Sequence, residues 1–399
     1  MPLSLLTIKL ALRSSRLSRP GLAWDRQMNQ DEKYRNQHSG EFFHRTMEEK
    51  IKVLVVDDAS VMRRAVAGIL SSDPMIEVVG TAENGLSGLE KVKELKPDVV
   101  TLDMDMPVMN GISATRHIMI RYQVPIVVLS SLFTDGAITF EALRLGVVDF
   151  VPKPSGAVSR DLSKGEEKII NRVKRAAVVK VSNIRRARLP VFSLDKENNR
   201  RREASPENLV ILGANLCVPN TVIRTIAKLT PALQASIVVI QEISLDILQS
   251  FTGEFNKFVP WNIKALQEDT IIEPGVCYIG STENSLRFTR STDGKPLVLV
   301  GEATHEPVDL LFSSAAESFP APVTGVLLGG IGDDGIQGLA AIKRHGGITL
   351  AQDTRYCISP NLTENAIRHG VVDRTTKDGE LADAIQSILE GRLPASSRG

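Results

Sequence analysis

The sequence predicts an α/β protein of two doubly wound domains: an N-terminal (βα)5 unit and a C-terminal unit with a mainly parallel sheet, joined by a linker. Two observations carry this. Short, continuously apolar runs such as Val53 to Val56, Val99 to Leu102 and Gly325 to Leu328 alternate with amphipathic segments, as strands covered on both faces do. The alternation stops between Asn183 and Pro206, where Arg, Lys, Asn, Glu and Pro mix without period, and resumes at Leu209. A chain of 399 residues has length enough for two or three cores.

Residues 1–47 stand apart. Their first two dozen positions are rich in Arg, Ser and Leu, and the first acid is Asp25. A targeting peptide is one reading, but the long apolar core of a secretory signal is missing. The stretch reads better as a disordered tail, or as a start assigned too far upstream, with Met47 the natural one. The first domain then spans 48–182, the linker 183–206 and the second domain 207–395.

In the first domain, Val53 to Val56 is a strand ending in Asp57-Asp58. Ser60 is placed to cap a helix whose apolar positions are Val61, Met62, Ala65, Val66, Ile69 and Leu70. Strands follow at Glu77 to Gly80, Asp98 to Leu102, Pro125 to Leu129 and Val148 to Val151. Helices lie between them at Gly85 to Leu95, Ile112 to Arg121 and Phe140 to Leu145, and a charged fifth helix runs from Asp161 to about Val181. In the second domain, strands are expected at Leu209 to Leu212, Ser236 to Ile240, Val276 to Ile279, Leu297 to Val300, Gly325 to Leu328 and Ile348 to Ala351. Helices are expected after Asn215 to about Leu229, at Val308 to Ala316 and at Gln337 to His345. The basic clusters of the linker read as solvated surface.

Composition narrows the function. A net charge of +1 argues against nucleic acid or an anionic membrane as bulk partner. Cys217, Cys277 and Cys357 are far apart with no CxxC, and the six histidines lack metal-ligand spacing, so a reducing cytoplasm fits and a zinc framework does not. No apolar stretch reaches the length of a membrane span.

Chemistry concentrates at strand ends. Asp57, Asp58 and Asp103 all fall at the C-terminal edge of the first sheet, where open α/β sheets bind ligands. Three clustered carboxylates repel unless a cation joins them, and a hard, oxygen-preferring ion such as Mg²⁺ suits them. Ser130 ends the fourth strand and Lys153 follows the fifth. An acidic trio, a hydroxyl and an ammonium at successive strand ends make a phosphoryl-transfer site.

This constellation, over roughly Ile51 to Val158, resembles the receiver domain of two-component response regulators. The resemblance implies that Asp103 is the phosphoacceptor and that Asp57, Asp58 and Asp103 hold the metal. It makes Ser130 the switch hydroxyl, Lys153 the phosphate-contacting lysine and Phe150 the switch aromatic. The whole order resembles the CheB-type protein-glutamate methylesterases of chemotaxis. That family hydrolyses glutamate methyl esters, and deamidates certain glutamines, on chemoreceptors. The stretches carrying the likeness are Leu209 to Ala214, Val238 to Gln241, Pro307 to Phe312, Gly329 to Gly335 and Ala351 to Asp353.

The catalytic positions depart from the family. Where the family has Gly-Ala-Ser-Thr-Gly-Gly, this chain has Gly213-Ala214-Asn215-Leu216-Cys217-Val218, so Asn215 replaces the serine. Glu242 replaces the histidine, and only Asp334 of the triad remains. Acyl transfer by such a triad needs a hydroxyl, a base and a group that orients the base. Cys217 as a displaced nucleophile, with Glu242 as base, is the alternative; a thiol at a helix N-terminus can be activated, but a lone Cys is usually packing. The turn Gly330-Ile331-Gly332-Asp333-Asp334-Gly335 also fits G-x-G-x-x-G, with Asp353 some twenty residues on, yet its two aspartates oppose a pyrophosphate. The expectation is a cytoplasmic chemotaxis response regulator, phosphorylated by a histidine kinase and acting on chemoreceptors by binding, with a methylesterase-like domain that has lost catalysis. An active esterase or deamidase with displaced residues is the competing one.

Overall fold

The computed structural model describes residues 49–130, 136–154, 162–187, 189, 205–216, 219–230 and 235–392. The expectations for residues 1–47 and for Cys217 lie outside these. From Lys50 onward the chain forms one compact unit.

The first sheet has the order β2-β1-β3-β4-β5 and is parallel throughout. Its strands are β1 (Ile51–Val56), β2 (Ile76–Ala82), β3 (Val99–Leu102), β4 (Ile126–Ser130) and β5 (Asp149–Pro152). They alternate with helices α1 (Ser60–Ser71), α2 (Gly85–Leu95), α3 (Gly111–Arg121), α4 (Gly136–Leu145) and α5 (Leu162–Ala176). β1 and β3 bury nearly every side chain, which is why their sequences are continuous apolar runs rather than alternating ones. Asn84 and Asn110 accept backbone N–H groups at the starts of α2 and α3. Ser60 does not cap: Ala59 is the N-cap residue and no side chain closes that end. Instead, the Arg63 guanidinium reaches back to the carbonyls of Asp57 and Asp58, at 2.7 and 2.8 Å, and holds the acidic turn.

The second sheet has seven parallel strands in the order β15-β14-β13-β6-β7-β10-β8. These are β6 (Asn208–Gly213), β7 (Ala235–Gln241), β8 (Asn262–Leu266), β10 (Val276–Ser281), β13 (Val323–Leu327), β14 (Ile348–Gln352) and β15 (Arg374–Thr376). Helices α6 (Pro219–Ile226), α7 (Leu245–Phe255), α8 (Pro307–Ser318), α9 (Ile336–Arg344), α10 (Asn361–Arg368) and α11 (Leu381–Leu389) accompany them. The expected strand at Leu297 to Val300 is not part of this sheet. It is β12 (Pro296–Gly301), which pairs antiparallel with β11 (Ser285–Arg290) and β9 (Thr270–Ile271) in a separate small sheet. An apolar run in the sequence does not reveal its partner; β12 and β11 both alternate buried with more open positions, as one-sided antiparallel strands do. β8 and β15 are edge strands with open positions, so their apolar pattern is weak.

The beginning of the expected exposed linker is packed. Ala187 is buried, and the Asn183 side chain donates to the carbonyls of Arg355 and Cys357 at 3.1 and 2.7 Å. α4 lies against α7, where Phe140 stacks with Phe255 and Phe258 and tilts against Phe251, with ring centroids 5.3–5.8 Å apart.

Candidate functional site: an acidic pocket and a remodelled cleft

Sheet register builds the first site. Val56 pairs with Leu102, so the next residues, Asp57 and Asp103, leave neighbouring strands side by side, and Asp103 N–H donates to the Val56 carbonyl at 2.9 Å. β1 and β3 flank the point where strand order reverses, the usual ligand crevice of such sheets. Asp57, Asp58 and Asp103 each offer a carboxylate oxygen within 4.8 Å of the others. Ser130 pairs with Pro152, which brings Lys153 alongside, and Lys153 N–H donates to the Ser130 carbonyl at 2.9 Å. The Lys153 ammonium lies 2.7 Å from Asp57 Oδ2 and 2.9 Å from Asp103 Oδ2.

Burial raises the Asp103 carboxyl above the usual range, against the pull of Lys153. Burial works to lower Lys153, but Asp57 and Asp103 together outweigh it and hold the ammonium charged. Apart from Lys153, the buried Asp57 Oδ2 meets no donor among the described residues. An all-oxygen trio with such an orphaned atom fits a hard divalent cation. Phe150 is fully buried in β5 and packs in the core rather than lining the pocket.

The second cleft lies where β6, β13 and β7 end together. Each family triad position has a partner of its own there. Asn215 donates from Nδ2 to the Ile331 carbonyl at 2.6 Å and accepts the Ile331 N–H at 2.8 Å on Oδ1. The side chain thus mimics a strand partner for the loop after β13. Asp334 accepts the N–H groups of Val308 and Asp309 at 3.1 and 2.8 Å, so it closes the N-terminus of α8. Burial pushes its carboxyl up to about 7, with Asp309 and Glu306 adding and the two N–H groups opposing. Burial likewise pushes Asp309, which accepts the Gly338 N–H, up to about 6.

Glu242, just past β7, is nearly buried and pairs with Arg172 and, at 2.7 Å, with Arg175, both on α5. Arg172 also meets Asp149 Oδ2 at 2.9 Å and Glu283 Oε1 at 3.3 Å. Arg172 lies in the charged fifth helix, where nothing in the sequence sets it apart from its charged neighbours. The one available signal was an acid, Glu242, at the end of an otherwise apolar strand.

An acidic pocket with a lysine at the switch point of a 2-1-3-4-5 sheet marks a response regulator, here carrying a second α/β domain as its output. Family models match in the same places: the response regulator receiver domain over residues 53–160 and CheB methylesterase over 210–385. A protein-glutamate methylesterase/protein-glutamine glutaminase of Pyrococcus horikoshii is 32% identical over 350 residues, covering 86% of this chain and 95% of its own length. One from Halalkalibacterium halodurans is 34% identical, covering 85% of this chain and 98% of its own. Among solved structures, the response regulator domain of Thermotoga maritima CheB is 43% identical, with a TM-score of 0.31, over 33% of this chain and 99% of that one. The chain belongs to the CheB protein-glutamate methylesterase family of chemotaxis response regulators. No described helix is long and apolar enough to cross a membrane.

Proposed function

We propose that this chain is a phosphorylatable chemotaxis regulator of the cytoplasm whose methylesterase domain no longer hydrolyses esters and acts by binding. The observation that supports the silent domain is the chemistry at the nucleophile position. Asn215 carries no ionisable nucleophile, and both ends of its amide are bound to Ile331. Glu242 cannot serve as the triad's base while its carboxylate is held by two guanidinium groups. Asp334 then has no imidazole to orient, and its carboxyl caps α8 instead.

Phosphoryl transfer remains. Asp103 attacks the phosphorus of a phosphohistidine on a chemotaxis-type kinase; the P–N bond breaks, the imidazole leaves, and an acyl phosphate forms on Asp103. Lys153, already between Asp57 and Asp103, pairs with a phosphoryl oxygen. The Ser130 hydroxyl at the end of β4 binds another, and Phe150 in the adjacent strand responds to that movement. Asp57, Asp58 and Asp103 would hold Mg²⁺, which supplies neutralisation of phosphoryl charge. The partners are then the kinase and the chemoreceptors, reached by docking rather than turnover. Incubation with labelled acetyl phosphate and Mg²⁺ tests the transfer: label enters the wild type and not Asp103→Asn, and label retained by that variant overturns the assignment.

A further inference from the structure

The geometry points to a second ligand site: a cationic cavity between the start of the linker and the loops after β14 and β15, which takes a soluble diphosphate ester of nucleotide size. The cavity holds about 760 Å³, inside the ~300–1,000 Å³ range of small-molecule sites. Tyr356 follows β14 and Lys377 to Glu380 follow β15, so the cavity lies beyond the C-terminal ends of these strands, where α/β sheets bind ligands. Arg224 and Lys228, at the end of α6 and just past it, and Arg185 and Arg186 of the linker line much of the rest. None of these residues belongs to the acidic pocket or to the triad positions.

Five cations and two carboxylates line the cavity, and both carboxylates are already paired. Asp378 accepts two bonds from the Arg224 guanidinium, one of them from Nη2 to Oδ1 at 2.8 Å, and a third from Gln352 Nε2 at 3.3 Å. Arg224 is fixed in turn by Asn220 Oδ1, which accepts its Nε–H at 3.0 Å. Glu380 lies 3.5 Å from the Lys377 ammonium. Three cations remain. Arg185 has no carboxylate partner among the described residues. Lys228 donates to a neutral carbonyl, that of Gly379, at 3.1 Å. Arg186 lies 3.7 Å from Glu141, but Arg116 and Arg144 already share that carboxylate.

An excess of three positive charges around one cavity is large for a chain whose formal net charge is +1. Like charges around a cavity repel, and a polyanion bound between them removes the repulsion. α11 adds to the same field. Ala382 in its first turn lines the cavity, and no side chain caps its N-terminus. The N–H groups there and the positive end of the helix dipole suit a phosphate. Asp383 in that turn is exposed and does not line the cavity. Guanidinium and ammonium groups beside a helix N-terminus are the donor set of phosphate recognition. The volume leaves room beyond a diphosphate, and Tyr356 offers a half-buried ring on which a flat base can stack.

ADP and pyrophosphate, titrated calorimetrically into the full chain without Mg²⁺, test the site. ADP should bind one-to-one with a dissociation constant below about 1 mM. Arg185→Glu and Lys228→Glu should each weaken it at least about tenfold. Arg287→Glu, the same charge change at an exposed position of β11, should weaken it less than about twofold. Tyr356→Leu should weaken ADP at least about fivefold and leave pyrophosphate unchanged. Absence of saturable ADP binding overturns the site, and so does an equal loss in Arg287→Glu, which would reduce the effect to bulk charge. An ADP affinity indifferent to Tyr356→Leu overturns the nucleotide assignment. Should a variant unfold, competition in the wild type decides instead. Pyrophosphate should displace ADP more effectively than NaCl of equal ionic strength, and equal displacement overturns the site. The readout is binding alone, so it stands apart from the phosphorylation and hydrolysis assays.

Discussion

Replacing Asn215 by Asp changes one atom group in a two-bond clamp. Oδ1 still accepts the Ile331 N–H, but an oxygen replaces the Nδ2 that donates to the Ile331 carbonyl at 2.6 Å. The lost hydrogen bond costs about 1 kcal/mol, and the half-covered carbonyl left facing another oxygen costs about 1–3 kcal/mol more. Asn215→Asp should therefore lose about 2–4 kcal/mol at pH 8, a large share of the ~5–15 kcal/mol that holds a typical domain. With a urea slope of ~1–3 kcal/mol per molar, the midpoint falls by about 1–2 M. The loss depends on pH with a definite sign. Protonated, the introduced carboxyl donates to the Ile331 carbonyl and the clamp reforms, so its folded pKa lies above the unfolded value. Stability is thus kept in acid and lost as pH rises through the folded pKa. Urea unfolding of wild type and variant at pH 5 and pH 8 measures both effects. A midpoint within about 0.3 M of wild type at pH 8, or a deficit that does not shrink at pH 5, refutes the clamp.

Asp334, raised to about 7 by burial, binds protons in the folded state that it does not bind unfolded, so it makes stability fall as pH rises from about 4 to 7. Asp334→Asn keeps one of the two cap bonds at α8, so it lowers stability at every pH, but it should flatten that fall in thermal melts between pH 5 and 8; an unchanged slope counts against the shifted carboxyl. Phe140→Ala removes a buried ring stacked on Phe255 and Phe258, and should cost about 3–5 kcal/mol in denaturant unfolding. A loss under about 1 kcal/mol would show that the aromatic cluster does not join α4 to α7. Val108, 81% exposed with a φ of 68°, is a β-branched residue in left-handed backbone. Val108→Gly relieves about 1–2 kcal/mol of that strain against about 0.5–1 kcal/mol of added chain entropy, for a net gain near 0.5–1 kcal/mol. A lower melting temperature in the variant would contradict it.

Much of the first site could be read from the sequence because each of its residues falls at or just past the end of a largely buried strand. Val53 to Val56 and Val99 to Leu102 announce where β1 and β3 stop, and in-register pairing then leaves Asp57 and Asp103 adjacent. The two departures from the esterase triad, Asn215 and Glu242, were equally plain, since each falls at a strand end inside a matching motif. What those residues do instead was not legible. The partners of Asn215, Glu242 and Asp334 lie 116, 70 and 26 or fewer residues away, and nothing local encodes them. α5 shows why: a helix with seven charges in fifteen residues looks like solvent-exposed surface until Glu242 and Glu283 are seen to pair with its arginines. The antiparallel trio of β9, β11 and β12 escaped for a related reason. Parallel and antiparallel strands differ in their partners more than in their composition.

The silent second domain is tested most directly by methanol release from a glutamate-methylated chemoreceptor, with the full-length chain phosphorylated by acetyl phosphate. The account predicts release at the rate of the protein-free blank, the same for wild type and Asp103→Asn. Release above the blank that vanishes in Cys217→Ala or Glu242→Ala would contradict it, and would return this chain to the working esterases of its family.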